Sequence, residues 1–155
     1  MSVQVAGAEG VLEKIPQRGR CIIVCNHPYG MIEGVIIAHL LTAFRSDTKI
    51  MANVGLKIFK EIKDFFIFAN PLKPKAVINT SAIKQCFSHI NNDGLLVIFP
   101  AGRVSFFQSN KQRITDGDWN RSTLLTRYMG LTSIASCVIW RRKTLIRSFI
   151  KNKVK

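Results

Sequence analysis

The sequence predicts an α/β domain in which a mostly parallel sheet is flanked by helices. Three observations carry that expectation. Short unbroken apolar runs, such as Cys21–Cys25 (CIIVC) and residues 95–99 (LLVIF), read as strands buried on both faces. Segments with apolar residues at helical spacing alternate with those runs, as they do when helices pack on a sheet. The chain has 155 residues, a length that suits a single core.

The elements follow in order. Cys21–Cys25 is a strand bounded by Arg20 and Asn26. Met31–Phe44 carries apolar residues at helical spacing, and residues 49–52 form a second short strand. Leu56, Phe59, Ile62 and Phe66 recur with lysines between them, so an amphipathic helix is expected over 56–65. Phe66–Ala69 is a third strand, ended by Asn70-Pro71. Asn79 or Thr80 suits the cap of a helix running to Ile90. Asn91-Asn92-Asp93-Gly94 is a turn, and the LLVIF strand follows it. Residues 100–118 read as a long polar loop, a length usually tied to function. A helix is expected over 119–129, closed by Gly130, and a last strand over 133–140. The expected organisation is one domain over 1–140 and a basic tail over 141–155.

Charge narrows the partners. There are 23 Lys and Arg against 9 Asp and Glu, a net charge of +14. Such an excess suits an anionic membrane surface or another polyanion. Arg141, Arg142, Lys143, Arg147, Lys151, Lys153 and Lys155 crowd the tail, where a solvated basic end is the plainer explanation. Phe149 is the only aromatic residue interleaved with these cations, so no nucleic-acid partner is expected. Lys57, Lys60 and Lys63 form a second basic series, either solvated or lying on lipid headgroups. No apolar run approaches the ~18 residues that cross a bilayer. The longest, Met31–Phe44, is broken by Glu33, Gly34 and His39. No secretory leader pattern opens the chain. The expectation is a cytoplasmic protein, peripheral on the inner face of the cell membrane.

The four cysteines form no CxxC pair, so no metal site is expected. Cys21, Cys25 and Cys137 lie in apolar runs and read as small buried hydrophobes in a reducing compartment. His39 and His89 read as structural or surface residues, and Trp119 as a packing anchor. Asp116 and Asp118 read as solvated loop carboxylates beside local cations. No GxSxG elbow surrounds Ser105, so it is not expected to be a nucleophile.

Two segments carry chemistry. In Asn26-His27-Pro28-Tyr29-Gly30-Met31-Ile32-Glu33-Gly34 a strand delivers a histidine to its end. A Pro/Gly turn and a helix with a carboxylate in its first turn follow. That carboxylate can fold back on the imidazole, hold the Nδ1 proton and leave Nε2 to take a proton from a hydroxyl. A free imidazole titrates near ~6.5 and so accepts a proton at neutral pH. In Phe99-Pro100-Ala101-Gly102-Arg103-Val104-Ser105 a second strand ends in a loop with a glycine for close backbone approach and an arginine for an anion. Both segments start where strong strands stop, so they are expected at one rim of the sheet.

The pair NHPYGMIEG and FPAGRVS resembles two motifs of the PlsC-like superfamily of 1-acylglycerol-3-phosphate acyltransferases. It is most similar to the bacterial hemolysin-like, or lysophospholipid acyltransferase, branch. That branch shows NHPxGxxDG, then FPAGEVS, then a TD..W segment, here Thr115-Asp116-Gly117-Asp118-Trp119. The resemblance runs from about Gly7 to Trp140. It implies a glycerolipid acyltransferase-like fold and transfer of a fatty acyl group from acyl-ACP or acyl-CoA to the hydroxyl of a lysolipid acceptor. The thioester, on acyl carrier protein or CoA, is a co-substrate, and no other cofactor is implied. His27 is the general base and Glu33 orients it. Asn26, Gly30, Pro100, Gly102, Arg103 and Ser105 are the implied substrate-binding residues.

The chain departs from the pattern at three places. Glu33 stands where relatives carry Asp. Ala101 stands where common members carry Glu. Arg103 stands where the hemolysin-like branch carries Glu, which reverses the charge of that loop. Relatives also begin earlier and continue beyond Trp140, so a partial domain is expected here. The alternative expectation is an inactive, truncated protein of this fold that binds anionic membrane surfaces.

Overall fold

The structure, a computed structural model, describes residues 15–70, 79–119, 133–137 and 149–150. Its strands are β1 (Cys21–Cys25), β2 (Thr48–Asn53), β3 (Phe66–Ala69), β4 (Leu95–Ile98), β5 (Phe106–Gln108), β6 (Arg113–Thr115), β7 (Ser133–Cys137) and β8 (Phe149–Ile150). The α-helices are α1 (Met31–Phe44) and α2 (Asn79–Asn91). The main sheet runs β3-β2-β4-β1-β7-β8. Pairs β3·β2, β2·β4, β4·β1 and β1·β7 are parallel, and β8 closes the edge antiparallel. This is the expected α/β architecture.

The unbroken apolar runs are explained by burial on both sides. All five residues of β1 and all four of β4 are buried. Alternate residues separate into two cores, because successive strand side chains face opposite ways. Cys21, Ile23, Cys25, Leu95 and Val97 pack with Ile37, Ala38 and Leu41 of α1. Ile22, Val24, Leu96 and Ile98 pack with Ala82 and Ile90 of α2. Burying each large aliphatic side chain stabilises the fold by roughly 1.5–3 kcal/mol.

On α1 the buried positions are Glu33, Gly34, Ile37, Ala38 and Leu41. They form one helical stripe, and a carboxylate occupies its first place. Helix α2 ends in a Schellman arrangement. The Gly94 N–H donates to His89 O at 3.0 Å and the Asp93 N–H to Ile90 O at 3.0 Å. Asp93 takes the left-handed conformation there (φ 62°). One ring nitrogen of His89 bonds Leu95 O at 3.0 Å, the structural role expected of it.

Two expectations fail. Residues 56–65 are not an α-helix. They form two 3₁₀ segments, Val54–Ile58 and Lys60–Phe65, with extended backbone at Phe59. Leu56, Phe59 and Ile62 recur every third residue, the 3₁₀ period rather than 3.6. The loop over 100–118 also contains an antiparallel hairpin, β5–β6, with Phe107 opposite Ile114. The helix expected over 119–129, residues 138–140 of the last strand and the tail beyond Phe149–Ile150 lie outside the described residues, as does residue 120 onward of the post-Trp119 segment up to 132.

One buried arginine ties the amino-terminal rim of the sheet. Arg45 Nη1 donates to Pro16 O and to Gly19 O, both at 2.9 Å, and Nη2 donates to Asp93 O at 2.8 Å. Its remaining donors form a fork on Asp47, Nε–Oδ1 2.9 Å and Nη2–Oδ2 2.6 Å. The guanidinium holds the Asp47 carboxyl below its ordinary range. The fork therefore adds stability above the unfolded value near ~4, and that part is lost as pH falls through the lower folded value. Asp47 is 43% exposed, so solvent screens this pH-dependent share. Arg45→Met should lower unfolding stability by about 2–3 kcal/mol at neutral pH, chiefly through the orphaned carbonyls. It should also flatten the loss as pH falls from about 5 toward about 3, around and below the ordinary carboxyl value. Urea midpoints across pH check both.

Candidate active site

Strands β1 and β4 lie side by side and parallel, with Val24 opposite Ile98. Their chains leave the sheet together. The connection from β1 leads to β2 on one side, and that from β4 leads to β7 on the other. The carboxyl ends of such a strand pair bound a crevice, the usual ligand position in an open α/β sheet. The 26–34 and 99–105 segments meet there, as the sequence led us to expect. The Ser105 N–H donates to His27 O at 2.7 Å and stitches the two loops.

The imidazole is held on two sides, by Glu33 and by Phe99. His27 Nδ1 lies 2.6 Å from Glu33 Oε1. Glu33 Oε2 accepts the Tyr29 N–H, also at 2.6 Å. The Phe99 ring packs against the imidazole with centroids 4.6 Å apart. Glu33 is only 3% exposed, while the His27 side chain keeps 20% exposure. Both carboxylate oxygens thus face donors within the protein. With Nδ1 donating to Glu33, Nε2 is the proton-accepting nitrogen, and it makes no hydrogen bond among the described residues.

Local sequence explains the geometry. Gly30 caps α1, so Glu33 is the third helical residue. A glutamate there commonly reaches back to the cap N–H. This one reaches one residue further, to Tyr29, and so bends the turn around the imidazole. Gly30 has φ 76° and ψ −127°, a conformation that only glycine adopts readily. A Cβ there would also lie 3.3 Å from Val104 Cγ2 of the other loop.

The second loop begins with a tight turn. The Gly102 N–H donates to Phe99 O at 3.0 Å, with Pro100 presetting the second turn position. Gly102 takes φ 65°. Its N–H therefore serves the turn rather than pointing at an anion. Pro100 is buried, Asn26 and Gly30 are half-buried, and Gly102 and Arg103 are exposed. The Arg103 guanidinium stacks 4.6 Å over the Phe106 ring. It also lies where a Cβ on Gly117 would be, 2.9 Å from Nη2. No ion pair to Arg103 forms among the described residues.

Asp116 departs from its expected role as a solvated carboxylate. Oδ1 accepts the His27 N–H at 3.1 Å and the Ser105 hydroxyl. Oδ2 accepts Trp119 Nε1–H at 3.1 Å, and the Asp116 carbonyl accepts Gln108 Nε2–H at 2.7 Å. One side chain gathers both catalytic-loop candidates and the foot of the hairpin. Trp119 is exposed among the described residues and is held through its N–H by Asp116. The Ser105 hydroxyl donates to Asp116. The TD..W segment was the only sequence signal for this node.

Three of the four thiols lie within the described residues, and none of these is an activated nucleophile. Burial pushes Cys21 and Cys86 up to about 11, so both stay protonated at neutral pH. Cys25 is fully buried. The side chain of Cys137 lies outside the described residues. Among the described residues no group of three His, Cys, Asp or Glu is placed to hold a metal, and no helix is long and apolar enough to cross a membrane.

Asp116→Ala removes the acceptor for three donors. It should cost about 1–3 kcal/mol of stability. It should also raise amide exchange at residues 27 and 105 more than in the sheet, which hydrogen-exchange mass spectrometry would read.

No protein-family model matches the chain. A curated protein of Phocaeicola vulgatus, a lyso-glycine lipid O-acyltransferase, is similar to it, 25% identical over 112 residues. The match covers 72% of this chain and 38% of the relative. The chain thus spans well under half the length of that relative, and the similarity is a distant one to an acyltransferase.

Proposed function

We propose that the chain is the catalytic part of an O-acyltransferase that moves a fatty acyl group from a thioester to a lysolipid hydroxyl. The observation that carries this is the buried Glu33 carboxylate 2.6 Å from His27 Nδ1, at the carboxyl ends of β1 and β4. The distant likeness to an O-acyltransferase supports the same class of reaction. The donor is acyl-ACP or acyl-CoA, and the protein works from an anionic membrane surface on the cytoplasmic side.

In this reaction His27 Nε2 takes the proton from the acceptor hydroxyl as its oxygen attacks the thioester carbonyl. The positive charge formed on the imidazole is matched by Glu33, whose burial keeps water from screening it. The tetrahedral intermediate collapses to the new ester as the carbon–sulfur bond breaks. The proton on Nε2 passes to the departing thiolate, and His27 returns to its starting state. Each atom is accounted for without a covalent acyl-enzyme, consistent with protonated thiols at Cys21 and Cys86 and with the engaged hydroxyl of Ser105. Arg103 is the anion-holding residue, and its planar fork suits a phosphate or a carboxylate headgroup equally. Asn26, Gly30, Pro100, Gly102 and Ser105 shape the acceptor's place around it.

Purified protein incubated with labelled acyl-ACP or acyl-CoA and a panel of single-chain lipids, lysophospholipids and a lyso-glycine lipid among them, should yield a diacyl product. His27→Ala should lower turnover by about 10²–10⁴. Glu33→Gln should lower it nearly as far, since an amide has one acceptor oxygen and two donors wait for it. Glu33→Asp should fall between. Turnover by His27→Ala at the parental rate would refute the assignment.

A further inference from the structure

We propose that the β5–β6 hairpin is an interfacial arm that docks the mouth of the His27 site onto an anionic lipid bilayer. It deepens the acyltransferase reading by naming the surface through which that reading's membrane partner is met.

The hairpin forms a two-stranded sheet of its own. An isolated pair of strands is marginal in water and needs something against its apolar face. Phe107 and Ile114 stand directly opposite each other across it. They are 56% and 43% exposed. Gln108, on the other face of the same strand, is the one bonded inward, to the Asp116 carbonyl. That face also carries Phe106, Arg113 and Thr115; Gln108 tethers it to the protein, while Phe107 and Ile114 project from the opposite face.

Its charge complements an anionic surface. Lys111 sits in the exposed tip, Arg113 follows on β6, and Arg103 lies at the base over Phe106. The carboxylate nearest the base, Asp116, is taken up by His27, Ser105 and Trp119. Aromatic rings beside cations, above an apolar pair, suit the headgroup layer of a bilayer.

The arm is also continuous with the site. Val104 is exposed and approaches Gly30. Tyr29, Met31 and Ile32, on the other side of Gly30, are exposed too. An apolar rim therefore runs from the start of α1 through Val104 to the hairpin, with His27 behind it. A lipid acceptor leaving the bilayer along this rim would meet Nε2 without crossing water.

Sedimentation with vesicles tests the arm on the full chain. Binding to phosphatidylcholine vesicles containing phosphatidylglycerol should exceed binding to phosphatidylcholine alone, and should weaken with salt. Phe107→Ser with Ile114→Ser should reduce partitioning roughly tenfold on both lipids. Lys111→Gln with Arg113→Gln should remove most of the preference for phosphatidylglycerol, again roughly tenfold. All four side chains are exposed, and circular dichroism confirms that the variants fold. His27→Ala should bind vesicles as the parent does, so docking and turnover are read separately. Undiminished binding by both hairpin variants overturns the proposal. So does binding that disappears only when Lys151, Lys153 and Lys155 become Gln, or a preference for DNA over every vesicle.

Discussion

A single buried carboxylate holds the candidate site together. Glu33 sits on the stripe that α1 turns to the core, where an aliphatic residue would stabilise the helix by roughly 1.5–3 kcal/mol. A charge in that place is tolerable only when its oxygens are satisfied. The Tyr29 N–H and the His27 ring supply those donors. The demand is mutual. The carboxylate needs the turn to bend so that Tyr29 reaches it, and the bend needs Gly30 at φ 76°. The imidazole is then oriented as a by-product of satisfying a buried charge. Folding energy and the geometry of the candidate site are here the same set of hydrogen bonds.

This coupling explains why the two parts of the site differed in legibility. The sheet was plain in the sequence because strands buried on both faces must be continuously apolar, as CIIVC and LLVIF are. The His27–Glu33 pair was visible because both residues sit within one turn of local chain. Asp116 was misjudged because its partners are 89 residues away at His27 and 11 away at Ser105. No period or spacing in a sequence announces such a contact. Arg45 was passed over for the same reason. Its carbonyl acceptors come from segments 26 to 48 residues distant. The 3₁₀ segments show a different failure. A three-residue recurrence of apolar side chains lies close enough to 3.6 to suggest an α-helix, and the chain adopts the period as written.

The two polar nodes divide the molecule's work. Arg45 lies at the amino-terminal ends of the strands, draws together residues 16, 19, 47 and 93, and has no role at the crevice. Asp116 lies at the carboxyl ends and draws together residues 27, 105, 108 and 119. Both solve the same problem, since loops at the ends of a sheet lack the ladder that orders its middle. At the amino-terminal end an arginine gathers carbonyls. At the carboxyl-terminal end a carboxylate gathers donors, and among the described residues no ion pair compensates the cation of Arg103.

That free cation bears on the charge reversal in the second loop. Where the resemblant branch carries a glutamate, this chain places Arg103, stacked on Phe106 and lodged against Gly117. Stacking on a ring restricts the guanidinium without neutralising it. An acceptor with a negative headgroup would be drawn to this loop, whereas a zwitterionic one would gain less. The same side chain belongs to the basic edge of the hairpin. Selection of the acceptor's headgroup and attraction to an anionic bilayer would then draw on one electrostatic feature, so that the lipids most enriched near the surface are also those the loop holds best.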